Sequence, residues 1–157
     1  MDIVRLSVPG TLMYRDLVLR VVASVCRLVR RSAELTQEVG HRERVEDFDD
    51  KIVSAVGEAF NNVAMHAYRN VGGAAEIELE FKGDSLIIRL LDTGHGFDIS
   101  EEVGQDLETL RESNMGLVII LACMDHVTYT RGGPTGRNML TMTKSYFANA
   151  VGSTRRA

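Results

Sequence analysis

The sequence is poor in cysteine, proline and tryptophan. It has 2 cysteines, 2 prolines and no tryptophan in 157 residues. Cys26 and Cys123 are far apart and form no C-x-x-C pair, so neither a disulfide nor a cysteine metal site is supported. Each lies in an apolar helical pattern, which predicts two buried, reduced thiols.

Long apolar runs and a secretory signal are also missing. The most apolar early stretch, Leu17 to Val29, is interrupted by Arg20 and Arg27 and is too short to cross a bilayer. We therefore expect no membrane segment and a cytoplasmic location. The formal net charge of −4 argues against direct nucleic-acid binding, which normally needs a basic surface.

What remains is the composition of an ordinary globular domain. Hydrophobic residues make up 45% of the chain and charged residues 25%, which is typical of such domains. The length suits one domain with a sizeable core. We expect that domain at residues 1–146, followed by a frayed C-terminal tail at 147–157.

Apolar periodicity predicts the order of the elements. Strands are expected at 3–8, 75–81, 85–91, 127–130 and 139–146, and helices at 13–33, 50–68 and 115–124. The polar segment 32–49 is interpreted as either a helical extension or a loop. This order predicts an α+β two-layer sandwich, with a mixed β-sheet and helices packed on one face.

The predicted helix from Asp50 to Tyr68 carries the first candidate site. One side is apolar, and on the other Glu58, Asn62 and His66 follow one another at i, i+4 and i+8, along one stripe. A Glu58 carboxylate can accept a proton, and the Asn62 carbonyl oxygen can coordinate Mg²⁺. Taken alone, this spacing also describes an ordinary solvent-exposed face.

A second candidate follows the strand at 85–91, in the sequence Asp92-Thr93-Gly94-His95-Gly96. The Asp92 carboxylate can accept a hydrogen bond from an exocyclic amine such as adenine N6. Gly94 and Gly96 allow close backbone approach to a ligand and permit positive φ angles. A turn without a ligand is the alternative interpretation.

A third candidate opens the last predicted helix, in Ser113-Asn114-Met115-Gly116. The free N–H groups and the positive dipole end of a helix N-terminus form a natural phosphate site. The alternative is a plain helix cap by Ser113 or Asn114.

The order of these three motifs resembles the GHKL superfamily of ATPases, which share the Bergerat nucleotide fold. Within it, the chain most resembles the small bacterial anti-sigma factors that are serine protein kinases. The resemblance extends from Ile3 to Tyr146 and includes the segments LSVPGTL, EAFNNVAMHAY, DTGHGFD and LTMTK.

The resemblance implies ATP and Mg²⁺ as cofactors and gives each candidate a role. Glu58 is the implied general base and Asn62 the implied Mg²⁺ ligand. His66 is implied beside the phosphates or ribose, and Asp92 at adenine N6. Gly94 and Gly96 correspond to the hinge on the adenine side, and Met115 and Gly116 to an ATP lid spanning about 99–116.

The same resemblance implies the partners. The chain is expected to sequester a sigma factor and to phosphorylate a serine on a STAS-type anti-sigma antagonist, and relatives of this kind are commonly homodimers. Histidine kinases usually carry Asn where this chain has Glu58. His41, the one histidine before Glu58, lies in no helical pattern of the kind that carries a phosphorylated histidine. The acceptor serine is therefore expected on another protein.

Two departures from the family pattern keep alternatives open. Asn114 stands where the lid commonly has Gly, and we expect its tolerance of positive φ to preserve the turn. Gly136-Arg137-Asn138 replaces a usual Gly-Thr pair, which leaves Thr141 or Asn138 to support adenine. The alternative functions are a nucleotide-binding partner switch without kinase activity and a stand-alone ATPase domain of a two-component pathway.

Overall fold

The computed structural model describes residues 3–35, 46–69, 72–96, 114–133 and 135–147. The helices within these ranges are α1 (Arg15–Leu35), which follows a 3-10 turn at Leu12–Tyr14, α2 (Phe48–Asn62) and α3 (Met115–Cys123). The strands are β1 (Ile3–Pro9), β2 (Ala74–Lys82), β3 (Ser85–Asp92), β4 (His126–Thr130) and β5 (Asn138–Ser145).

The predicted elements are confirmed to within one or two residues at nearly every boundary. The polar segment 32–49 divides between the end of α1 and the start of α2, and its residues 36–45 lie outside the described ranges. Most of the expected lid, residues 99–113, lies outside them too.

The prediction of an α+β sandwich is confirmed, but the sheet is not mixed. Its strand order is β1-β2-β3-β5-β4, and every described pairing is antiparallel. The long connection through α3 makes β3 and β4 run in the same direction, as a strand-helix-strand unit should. Because β5 lies between them and pairs with both, no parallel pair forms.

Alternation along the strands gives the sheet one apolar face. Leu90 pairs with Ile77 on one side and Leu140 on the other, and Ile88 pairs likewise with Leu79 and Met142. All of these side chains are buried in one cluster with residues of the three helices: Val18, Val22, Ile52, Val56, Phe60 and Ile120. The helices therefore pack on one face, as predicted.

The opposite face is polar and charged. Arg89 forms an ion pair with Glu80 at 2.8 Å, and Arg5 forms one with Glu78 at 2.8 Å. These residues are cross-strand neighbours on β1, β2 and β3, where opposite charges stabilise the pairing modestly.

Lys144 is a charged residue within the apolar face, with only 7% of its surface exposed. Its ammonium group donates to Asp125 Oδ1 at 2.7 Å, and Asp125 Oδ2 accepts from the Ser145 N–H at 2.8 Å. Burial raises the pKa of the Asp125 carboxyl, but these two hydrogen bonds, together with the charges of Lys144 and His126, leave the pKa below its ordinary value.

The predictions for the cysteines and membrane segments can now be compared with the structure. Cys26 is buried, as predicted, but Cys123 is only half-buried; both are free thiols. Among the described helices, none is both long and apolar enough to span a bilayer.

The division into a domain at 1–146 and a tail at 147–157 stays a prediction. Phe147, placed in the tail, is buried and stacks edge-on against Tyr146 with ring centroids 5.0 Å apart. The remaining tail residues, 148–157, lie outside the described ranges.

Candidate functional site

The helix predicted at 50–68 is formed by α2 and a π-helical turn that continues it, Val63–Ala67. The turn ends where the Tyr68 N–H donates to Val63 O at 3.0 Å. Single π turns are rare and frequently occur at functional sites. Because a π turn is wider than an α turn, the regular stripe predicted from the sequence holds for Glu58 and Asn62 but not for His66.

The structure places these three residues differently. Glu58 and Asn62 are half-buried on the side of α2 that faces α3. His66 is exposed and makes no hydrogen bond or ion pair with the other described residues. Its expected place beside the phosphates or ribose therefore remains a prediction.

The first turn of α3 lies directly against Glu58 and Asn62. A methyl group on Gly116 would lie 3.0 Å from Glu58 Oε2 and 3.6 Å from Asn62 Oδ1. Two oxygens from α2 thus converge on one point beside the N-terminus of α3. Glycine at position 116 is what allows this approach.

Asn114 caps α3, which was the alternative interpretation of this segment. Its side-chain oxygen accepts the Leu117 N–H at 3.1 Å, and its carbonyl accepts the Val118 N–H at 3.3 Å. Asn114 has φ −151°, so its tolerance of a positive φ is not used here: an N-cap residue is extended, and its side chain does the capping. The N–H groups of Met115 and Gly116 have no acceptor within the helix, which makes them the candidates for contact with an anion.

Asp92 ends β3 and is almost completely buried, with 5% of its surface exposed. Its Oδ1 accepts from the Gly94 N–H at 2.9 Å and from Asn138 Nδ2 at 2.8 Å. The second oxygen, Oδ2, has no hydrogen-bond donor among the described residues. A carboxylate oxygen without a protein donor is suited to accept a hydrogen bond from a ligand amine.

The two residues proposed to support adenine lie on opposite faces of the sheet. Asn138 pairs with Asp92 at the end of the β3–β5 ladder and is buried beside it. Thr141 pairs with Arg89 and Thr128, on the charged face. Of the two candidates, Asn138 is the one that contacts Asp92.

Gly94 and Gly96 are required for a reason other than the predicted one. Neither has a positive φ. A methyl group at Gly94 would lie 2.5 Å from the Ala67 carbonyl oxygen, and one at Gly96 would lie 2.6 Å from Arg131 Cγ. The Ala67 backbone therefore excludes a side chain at Gly94, whereas at Gly96 the exposed Arg131 side chain would have to move aside.

The Asp92 segment is docked on the π turn that extends α2. The His95 N–H donates to Ala67 O at 3.2 Å, in the place where Gly94 makes its close approach. Ala67 is nine residues beyond Glu58, or at most about 13 Å along the helix axis. One extended helix thus holds α3 at one end and the Asp92 segment at the other, and the three predicted motifs share one support.

Tyr68 is a structural residue of the site that the sequence did not single out. Its hydroxyl accepts the Thr93 N–H at 2.7 Å and donates to Ala74 O at 2.9 Å. Methyl groups at Gly10 and Gly73 would lie 2.4 and 2.2 Å from its ring. The sequence contained only indirect signs of this role: Tyr68 ends the predicted helix, and Gly10 and Gly73 lie in two turns distant from each other. No local pattern connects these three residues.

The donor set of the site fits a magnesium nucleotide. Asn62 Nδ2 is buried and has no hydrogen-bond partner among the described residues, and its carbonyl oxygen lies near the Glu58 carboxylate. A buried polar atom without a partner indicates a missing ligand. The described residues include no group of three or more His, Cys, Asp and Glu side chains suited to hold a metal. Mg²⁺ usually takes one or two protein oxygens together with substrate phosphates, and the Asn62 carbonyl oxygen is a ligand of that kind.

Comparison with known proteins agrees with this geometry. Residues 9–144 match the family described as "Histidine kinase-like ATPase domain". The chain is 32% identical over 87 residues to an anti-sigma F factor of Clostridium acetobutylicum, covering 53% of this chain and 60% of that protein.

Two further relatives carry the name serine-protein kinase RsbW. The protein from Listeria innocua is 35% identical over 82 residues, covering 46% of this chain and 52% of the relative. The protein from Staphylococcus aureus is 34% identical over 110 residues, covering 63% of this chain and 66% of the relative. The chain thus spans between about half and two thirds of the length of these relatives.

Proposed function

The chain belongs to the family of histidine kinase-like ATPase domains, and we propose that it is an Mg-ATP-dependent serine kinase that also acts as an anti-sigma factor. The single observation that carries the kinase proposal is the convergence of Glu58 Oε2 and Asn62 Oδ1 on Gly116. A proton acceptor, a hard-cation ligand and a helix N-terminus meet there, and phosphoryl transfer uses all three.

Each candidate residue of the site has a proposed role. Glu58 takes the proton from an acceptor hydroxyl, and Asn62 holds Mg²⁺. Met115 and Gly116 offer their free N–H groups to the phosphates. Asp92 accepts from adenine N6.

When bound, ATP would supply the phosphoryl group, and Mg²⁺ would neutralise part of its negative charge. The chain's own residues position the reactants, and a well-placed general base adds about 10²- to 10⁴-fold to the rate. We propose that the hydroxyl belongs to a serine of another protein.

The names of the relatives support a sigma factor as one proposed partner. One relative is called an anti-sigma factor and others are called serine-protein kinases. We propose that this chain binds a sigma factor, phosphorylates a STAS-type antagonist of that binding and acts as a homodimer. Phosphorylation of the antagonist would then leave the chain free to hold the sigma factor.

Phosphate transfer by Glu58 variants tests the catalytic role. Labelled ATP is mixed with the purified chain and candidate STAS-type proteins, and phosphoserine is measured. Glu58→Ala and the isosteric Glu58→Gln are expected to lower transfer by about 10² or more while Mg-ATP still binds in calorimetry. Asp50→Asn, an exposed carboxylate in the first turn of the same helix, is the matched control and should transfer at the wild-type rate.

Two results would contradict the proposal in different ways. Full transfer by Glu58→Gln would remove Glu58 from the mechanism. No binding of Mg-ATP by the wild type at millimolar concentration would favour a partner switch without kinase activity. Co-purification with a histidine-bearing dimerisation protein, rather than with an antagonist, would favour the two-component alternative.

A further inference from the structure

Asn138 occupies a position in the site that the proposed roles leave unexplained. It is the first residue of β5, lies opposite the last residue of β3 and is only 4% exposed. A carboxamide at such a position must satisfy its polar atoms within the protein. The hydrogen-bond partners of those atoms therefore indicate the role of Asn138.

The Asn138 carboxamide makes three hydrogen bonds to three separate segments. Its Nδ2 donates to Asp92 Oδ1 at 2.8 Å and to Gly94 O at 3.0 Å. Its Oδ1 accepts the Gly132 N–H, in the turn between β4 and β5, at 3.2 Å. Because two acceptors surround the nitrogen and a donor faces the oxygen, a flipped carboxamide would lose all three bonds.

The effect on Asp92 is asymmetric. Both of its described donors, Gly94 N–H and Asn138 Nδ2, act on Oδ1. Asp92 forms no ion pair with the described residues, so no cation competes for its other oxygen. The carboxylate is thereby fixed in rotation, with Oδ2 left as the acceptor.

We infer that Asn138 is a positioning residue for base recognition: it orients Asp92 so that Oδ2 accepts a hydrogen bond from the 6-amino group of a purine nucleotide. The inference rests on the proposed nucleotide site and adds a specificity determinant to it. Asn138 acts through Asp92 and itself needs no contact with the base. A site built to pair with an amino group disfavours an analogue that lacks it.

The test compares two nucleotides that differ only in that amino group. Calorimetry gives the Kd of Mg-ATP and of magnesium purine riboside 5′-triphosphate, which carries hydrogen at position 6. We expect the wild type to prefer ATP by roughly tenfold to a hundredfold, the range of a hydrogen bond to a charged group. In Asn138→Ala this ratio should fall towards one, because ATP binds more weakly while the analogue is unaffected.

Three further variants make the result specific. Asn138→Asp is isosteric but places a carboxylate against Asp92, so it should lose the preference at least as fully as Asn138→Ala. Asn138→Thr keeps one hydroxyl donor on a residue suited to a strand and should retain an intermediate ratio. Thr141→Ala, on the same strand but the opposite face, should keep the wild-type ratio.

The outcomes separate this inference from the proposed function. The positioning role is wrong, while the kinase proposal stands, if Asn138→Ala prefers ATP as strongly as the wild type does. The same holds if Asn138→Ala lowers the affinity for both nucleotides by the same factor. If the wild type binds neither nucleotide, the proposed function itself fails. Should Asn138→Ala not fold, a lower ratio in Asn138→Asp than in Asn138→Thr supports the inference, and equal ratios overturn it.

Discussion

At Gly116, the stability of the helix and the proposed activity have different requirements. Glycine in a helix is less favourable than alanine by about 1 kcal/mol, so its presence in the first turn of α3 has a cost. The space it leaves is filled by Glu58 Oε2, 3.0 Å from where a methyl group would lie. The glycine is therefore explained by the site rather than by the helix.

We predict opposite effects of Gly116→Ala on stability and activity. The free energy of unfolding should stay equal or rise by up to about 1 kcal/mol, because the flexible Glu58 side chain can move aside. Phosphate transfer should fall by about tenfold or more, since the methyl group displaces the proposed base and enters the space for phosphates. Denaturant unfolding and the transfer assay measure the two quantities.

Gly133→Ala is the matched control for that prediction. A methyl group there meets only ordinary contacts, at 3.5 Å from Arg137 O and 3.6 Å from Thr130 Cγ2. Both stability and transfer should remain near wild type. If Gly116→Ala also transfers phosphate at the wild-type rate, then the place where Glu58 and Asn62 approach Gly116 is not the reaction site.

Tyr68 connects elements that are far apart in sequence. It follows the π turn of α2, its ring lies between the turns after β1 and before β2, and its hydroxyl holds the segment after β3. The position of Asp92 at one end of α2 therefore depends on packing at the start of the sheet.

For Tyr68→Phe we predict a loss of about 1 kcal/mol in the free energy of unfolding, because the Thr93 N–H loses its acceptor. Mg-ATP should also bind more weakly, since the Asp92 segment is no longer fixed. Tyr14→Phe is a suitable control, because the Tyr14 hydroxyl makes no hydrogen bond with the described residues. Unchanged ATP affinity in Tyr68→Phe would show that the segment holds its geometry without this contact.

The reactivity of the Cys26 thiol is a probe of the stability of the whole molecule, because Cys26 lies in the core shared by the helices and the sheet. Its side chain is fully buried among α1, α2 and the sheet, and burial, the largest influence, raises the pKa of its thiol to about 12. A buried thiol with so high a pKa has almost no reactive thiolate at neutral pH. Labelling therefore requires opening of the core.

We predict that Cys26 in a Cys123→Ser variant reacts with a thiol reagent at pH 8 only at the rate set by opening. Mg-ATP at a hundred times its Kd should slow labelling by about a hundredfold, because it binds the folded state alone. The reaction is followed by absorbance with and without nucleotide. Labelling at the speed of a free thiol under native conditions would contradict the placement of Cys26 in the core.

The sequence predicted the elements well because their causes are local. Periods of two and 3.6 residues gave the strands and helices, and the hairpin followed from a three-residue connection containing Gly83, which has φ 64°. The motif order also located Glu58, Asn62, Asp92 and Gly116. For all of these the relevant information lies within a few consecutive residues.

The sequence by itself determined which residues are candidates to carry chemistry, and the tertiary structure decided which of them meet. That β5 separates β3 from β4, that Asn138 rather than Thr141 contacts Asp92, and that Gly94 makes room for Ala67 all depend on strand order and register. Such contacts join residues tens of positions apart. Local periodicity reports which face of its own element a side chain occupies, but the neighbour it meets is set only when the elements pack together.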